Sequence, residues 1–96
     1  MELNQKHREI LTSTIQSVVG QADIYLFGSF ARGKSRGDSD LDVAIRSDSK
    51  IPFEKIMRLR HLLSESDLPY VVDIVDLNAI EESFRRAIEG DFVKIA

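Results

Sequence analysis

The run Gly28-Ser29-Phe30-Ala31-Arg32-Gly33, followed by Asp40-Leu41-Asp42, couples a glycine-serine turn to two carboxylates held two residues apart. Residues i and i+2 of a strand share a face. Asp40 and Asp42 therefore turn toward one point if the chain from Leu41 to Ile45 is extended, with Leu41, Val43 and Ile45 facing the core. Aspartates so placed repel each other unless a cation neutralises them, and a divalent ion shared with substrate phosphates does so. The pattern points to a metal-and-triphosphate site, with Mg²⁺ the expected ion. Read alone, residues 38–42 are also an ordinary solvated turn leading into a strand. Their surroundings weigh against that reading. Asp23–Phe27 reads as a buried strand running into Gly28-Ser29, where backbone can approach a ligand closely. The stretch to Arg32 can form a short helical turn whose free amides face an anion.

A second pattern overlaps the first. Residues 28–35, Gly-Ser-Phe-Ala-Arg-Gly-Lys-Ser, satisfy the P-loop expression G-x-x-x-x-G-K-[ST], and Tyr70-Val71-Val72-Asp73 could pass for its magnesium-bearing strand. A P-loop must open a helix at its Lys-Ser. Here Arg36-Gly37-Asp38-Ser39-Asp40 follows, a turn-rich run leading to another strand. The chain is also too short for the repeated strand-helix units of such a domain.

With Gly28-Ser29, the spacer 30–39 and Asp40-Leu41-Asp42 in place, the sequence resembles the polymerase-beta-like nucleotidyltransferase superfamily, whose pattern is Gly-Ser, a spacer of this length, then Asp-x-Asp. Nearly the whole chain is covered. Its length is similar to that of the minimal nucleotidyltransferases, small antitoxin-type members paired with HEPN-domain proteins. The resemblance implies that Gly28 and Ser29 hold the nucleotide phosphates and that Asp40 and Asp42 bind metal. It also implies a third carboxylate on a later strand, for which Val71-Val72-Asp73-Ile74-Val75-Asp76 offers two. Asp73, flanked by Val71, Val72, Ile74 and Val75, reads as a mid-strand charge that calls for a cation or a donor. Asp76 stands at the strand's exit beside Leu77-Asn78, where backbone N–H groups can satisfy it, and reads as structural. Asp73 is thus the expected third catalytic and metal-binding carboxylate, and the expected general base.

Of the basic residues in this region, Arg32 lies in the turn segment, where a guanidinium can grip phosphate. Lys34 and Arg36 read as solvated spacer. His7 and His61 fall in helix-like segments without partners at metal-ligand spacing, and are expected to be structural or superficial.

Composition bounds the remainder. Ninety-six residues with 43% hydrophobic content make one domain, 1–96, with no room for a separate acceptor-binding domain. A net charge of −3 argues against non-specific nucleic-acid binding. With no cysteine, disulfides and thiolate zinc sites are excluded. The N-terminus has no apolar signal core and no segment could span a membrane, so a cytoplasmic protein is expected.

The site must be positioned by the elements around it. Leu3, Ile10, Leu11, Thr14, Ile15 and Val18 recur at helical spacing and predict a helix over 3–19, stopped near Gly20. Strands are expected at 23–27, 41–46 and 70–76. A helix starting near Pro52 should bury Phe53, Ile56, Met57, Leu59 and Leu63. Asn78 with Glu81 resembles a capping box opening a helix that buries Ile80, Phe84 and Ile88 and ends at Gly90. Phe92–Ile95 should add a short edge strand.

The expectation is a single α/β nucleotidyltransferase domain, a mixed β-sheet with helices packed against it. It would move a nucleoside monophosphate, AMP from ATP, to a hydroxyl on a HEPN-type toxin partner, with two Mg²⁺ ions assisting. Homo- and hetero-oligomeric states both stay open. The alternative is a non-catalytic antitoxin that neutralises its partner by binding alone.

Overall fold

The computed structural model describes residues 3–32 and 40–96. Helix α1 (Gln5–Val19) opens at Asn4, whose side chain accepts from the His7 N–H at 2.8 Å, and closes at Gly20 with φ +79°. The first turn thus begins later than apolar periodicity alone predicts, because Asn4 competes for the amide and sets the cap. β1 (Asp23–Phe27) leads directly into the single turn α2 (Gly28–Ala31). β2 (Leu41–Arg46), α3 (Phe53–Ser64), β3 (Val72–Asp76), α4 (Glu82–Glu89) and the short β4 (Val93–Lys94) complete the chain.

The four strands form one mixed sheet in the order β3-β2-β1-β4. β1 is antiparallel to both β2 and β4, whereas β2 and β3 run parallel across the connection through α3. This is the α/β fold expected from the sequence. It also removes the P-loop reading, because β1 pairs with an antiparallel β2. The P-loop's own Lys34 and Ser35, and Arg36 with them, lie outside the described residues.

Alternation along the strands divides the apolar residues between two faces. Leu41, Val43 and Ile45 of β2 join Ile24, Leu26 and Ile74 against Leu11 and Ile15 of α1 and Leu59 and Leu63 of α3. On the opposite face, Phe27, Ala44, Leu77 and Ile88 form a smaller cluster completed by Tyr25, Val75, Ile80 and Phe92. There Tyr25 and Phe92 stack with centroids 4.8 Å apart. The first face is roofed by two helices. The second is covered by α4 and the chain after it at one end, and Asp42 stands on this face.

Three expectations about packing are corrected. Phe53 and Met57 of α3 are 74% and 44% exposed, and Phe84 of α4 is 45% exposed. Leu59 and Leu63, four apart on one helix face, are the fully buried residues of α3. Met57 and Phe53, two and six positions before Leu59, fall roughly 160° and 120° around the helix from it and so lie on the outer flank. The capping box at Asn78 and Glu81 does not form. Asn78 Nδ2 donates instead to the Ser47 carbonyl at 2.7 Å, tying the turn after β3 to the loop after β2, and α4 starts only at Glu82. β3 begins at Val72, although Val71 already accepts from the Leu41 N–H at 2.8 Å.

Candidate active site

Gly28 is the hinge of the site. β1 ends at Phe27, and Gly28 turns the chain into α2 at φ +75°, a left-handed conformation that side chains resist. A Cβ built there would overlap Asp42 Oδ2. Glycine is therefore required twice over, for backbone conformation and for the carboxylate packed against it. The Arg32 N–H closes the turn on the Gly28 carbonyl at 3.1 Å. Phe30, buried in the main core against Tyr70, anchors it from below with ring centroids 5.5 Å apart.

The sheet register lines up the carboxylates. Phe27 pairs with Asp42 across β1 and β2, and Asp42 pairs with Asp73 across β2 and β3. Asp42 and Asp73 are thus immediate lateral neighbours, on strands about 4.8 Å apart. Asp40, exposed and two residues before Asp42, adds its charge to theirs. Burial raises the Asp42 carboxyl above its ordinary value of 3.8, and the negative charges of Asp73 and Asp40 raise it further. The nearby Arg32 guanidinium works the other way.

Arg32 is itself tied to Asp91, beyond the end of α4, by a 2.6 Å bridge from Nη1 to Oδ2. Asp91 belongs to the site's rim and was not legible in the sequence, since no motif marks it; tertiary folding alone brings it to Arg32.

Asp73 is exposed, not enclosed by its apolar neighbours, because β3 is the outer strand and Asp73 is only its second residue. Its proximity to Asp42, and not burial, makes it chemically notable. Asp76 is the buried member of the pair. Its two oxygens accept from the Ile51 N–H at 2.7 Å and the Asn78 N–H at 2.9 Å, a structural role as expected from its position at the strand's exit. His7 packs edge-on against Tyr70, and His61 is exposed in the last turn of α3.

Among the described residues, no three histidine, cysteine or acidic side chains are grouped tightly enough to form a ready-made metal cage. The donor chemistry nonetheless fits Mg²⁺ delivered with a nucleotide. That ion keeps several waters and takes one or two protein carboxylates, the remaining oxygens coming from phosphates. Asp40 and Asp42 supply hard oxygen donors beside an open face, and the mutual repulsion at Asp42 is what a cation would relieve.

The family model described as Polymerase beta, Nucleotidyltransferase matches residues 6–95. The chain belongs to this nucleotidyltransferase family. Among its relatives is "Probable protein adenylyltransferase MntA" of Haemophilus influenzae, 35% identical over 95 residues, a match spanning 99% of this chain and 83% of that protein. Two solved structures share the nucleotidyltransferase fold. One, a toxin-antitoxin with AMP-PNP, superposes with a TM-score of 0.81 at 22% identity, covering 93% of this chain and 72% of the other. The second is a tri-AMPylated Shewanella oneidensis HEPN toxin in complex with MNT antitoxin, with a TM-score of 0.76 at 20% identity and coverage of 98% and 72%. The chain is accordingly a nucleotidyltransferase by family and by fold.

Proposed function

We propose that this nucleotidyltransferase transfers AMP from Mg²⁺-ATP to a hydroxyl on a HEPN-domain toxin in the cytoplasm, and thereby acts as its antitoxin. The observation that carries the reading is the junction of Gly28 with Asp42, which welds the glycine-serine turn to the paired carboxylates of Asp42 and Asp73. The name of the Haemophilus influenzae relative and the AMPylated toxin in the related complex supply the reaction and the acceptor class.

In this reading Gly28 and Ser29 receive the triphosphate, and Arg32 stands at the rim to contact phosphate. Asp40 and Asp42 hold the metal with help from Asp73. Bound Mg²⁺ supplies the positive charge that offsets the triphosphate and stabilises the attacking and leaving oxygens of an in-line displacement, two ions sharing that work. The acceptor oxygen bonds to the α-phosphorus as the α-phosphorus–oxygen bond to the β-phosphate breaks. Its proton passes to Asp73, and pyrophosphate leaves. Addition of AMP places new negative charge and bulk on the toxin, which would obstruct RNA there by repulsion and occlusion.

Intact-mass measurement of the toxin after co-expression tests this. The parent chain should add whole AMP increments, and Asp42→Asn none. A toxin that stays unmodified yet is neutralised equally by parent and Asp42→Asn would replace transfer with masking by binding alone.

A further inference from the structure

β3 is an edge strand whose outer side, among the described residues, carries no strand where it passes the candidate site. In a parallel ladder, alternate residues turn both main-chain groups to the same neighbour. The Leu41 N–H donating to the Val71 carbonyl at 2.8 Å, and the Leu77 N–H to the Ile45 carbonyl at 2.9 Å, fix residues 71, 73, 75 and 77 as those facing β2. The N–H and C=O groups of Val72 and Ile74 therefore point away from the sheet, and no described residue pairs with them. Edge strands are ordinarily guarded by lysine, proline or a bulge. Val71-Val72-Asp73-Ile74-Val75 has neither residue, its register with β2 is unbroken, and Val71 is 66% exposed. Beside this edge, between the end of α3 and the start of β3, lies a cavity of about 390 Å³ lined by Arg60, Ser64, Tyr70, Val71 and Asp73 among others. Arg60 forms no ion pair with a described residue.

We propose that the acceptor reaches the site by strand addition: an extended, hydroxyl-bearing segment of the protein to be modified pairs with Val72 and Ile74 as a fifth strand. The inference rests on the adenylyl transfer proposed above and adds how the acceptor is presented. Phe27, Asp42 and Asp73 already form a lateral row across three strands. One more strand, about 4.8 Å further out, places the residue opposite Asp73 with its side chain on the same face. A tyrosine, serine or threonine at that position brings its hydroxyl beside the carboxylate that takes its proton. Its sequence neighbours point to the other face, toward the cavity beside α3, where Arg60 favours an acidic side chain. Main-chain pairing supplies the affinity and the alternate side chains the selectivity.

Val72→Pro tests the idea with little disturbance to the fold. The Val72 N–H points outward, so proline removes nothing from the ladder with β2, and its extended predecessor suits a following proline. With a HEPN-domain toxin as probe, Val72→Pro should keep the thermal stabilisation given by Mg²⁺-ATP. It should add AMP to the toxin about fivefold more slowly than the parent, the rate equivalent of a lost main-chain hydrogen bond. Amide hydrogen exchange on the parent chain needs no variant: Val72 and Ile74 should gain protection when the toxin is added. Parental transfer rates in a folded Val72→Pro variant, or no added protection at those two amides, would overturn strand addition while leaving adenylyl transfer standing. Protection that rises with the chain's own concentration and ignores the toxin would assign the edge to a second copy of this chain, and likewise overturn it. Failure of the parent itself to modify the toxin would overturn the underlying activity and this inference together.

Discussion

Gly28 and Asp42 occupy each other's space, and that single contact sets two predictions at the scale of the residue. Gly28→Ala forces a side chain into a left-handed backbone, costing about 1–2 kcal/mol, and drives its Cβ into the Asp42 carboxylate. Thermal melts should show a Tm lowered by at least about 4 °C for a chain of this size. In an Asp42→Ala background the carboxylate is gone and the nearest remaining atom, the Asp42 Cβ at 3.5 Å, is an ordinary contact, so the same substitution should cost less. An equal cost in both backgrounds would show that the packing against Asp42 is irrelevant. The second prediction concerns charge. The Asp42 carboxyl is raised in the folded chain by burial and by Asp73 and Asp40, so the folded state holds this proton more tightly than the unfolded one. Its stabilising contribution is complete below the unfolded value of 3.8 and is lost as pH rises through the raised folded value. At neutral pH, Asp42→Asn should therefore melt at a higher temperature than the parent, with the gap closing as pH falls below that window. A gap that widens on acidification would contradict the repulsion assigned to Asp42.

At the scale of the element, Asp76 ends β3 and holds the loop that enters α3. Its carboxylate satisfies the buried side of the Ile51 amide and the Asn78 amide together. Asp76→Ala leaves both donors without their acceptor, at about 1–3 kcal/mol for each group left unsatisfied. Urea unfolding should show a loss on the order of 2–4 kcal/mol, with Asp76→Asn, which keeps one acceptor oxygen, in between. A change within ~0.5 kcal/mol, as at an ordinary surface position, would refute the structural role. By contrast, the Arg32–Asp91 bridge is half open to solvent. Asp91→Asn should alter stability by less than about 1 kcal/mol, so any larger loss of activity would belong to the placement of Arg32 at the site.

For the whole molecule, ligand binding is the sensitive readout, because anything that binds only the folded chain stabilises it. Mg²⁺-ATP at a hundredfold excess over its Kd should contribute about 2.7 kcal/mol, a Tm rise of roughly 10 °C or more. Asp40→Asn combined with Asp42→Asn should abolish the rise, measured against the double variant's own ligand-free melt; an undiminished rise would remove both aspartates from the metal site. The fold class and the order of elements were legible in the sequence because they depend on short-range patterns. Alternation in Leu41–Ile45, helical spacing from Ile10 to Val18 and glycine at position 28 each act within a few residues. The same holds for Asp76, whose place at a strand exit already implied backbone partners. What the sequence could not determine were the relations between distant segments. That β3 lies at the sheet's edge, and so leaves Asp73 open, depends on strand order, which periodicity does not encode. The exposure of Phe53, Met57 and Phe84 was hidden for a related reason: an apolar residue announces that it can be buried, whereas only the angle at which its helix meets the sheet decides whether it is. Asn78 could equally have capped α4 or bridged to Ser47, and the approach of the β2 loop decided it. The pairing of Arg32 with Asp91, fifty-nine residues apart, likewise arises only when α4 folds back across the second face, because charge attraction of that kind has no local signature in the chain.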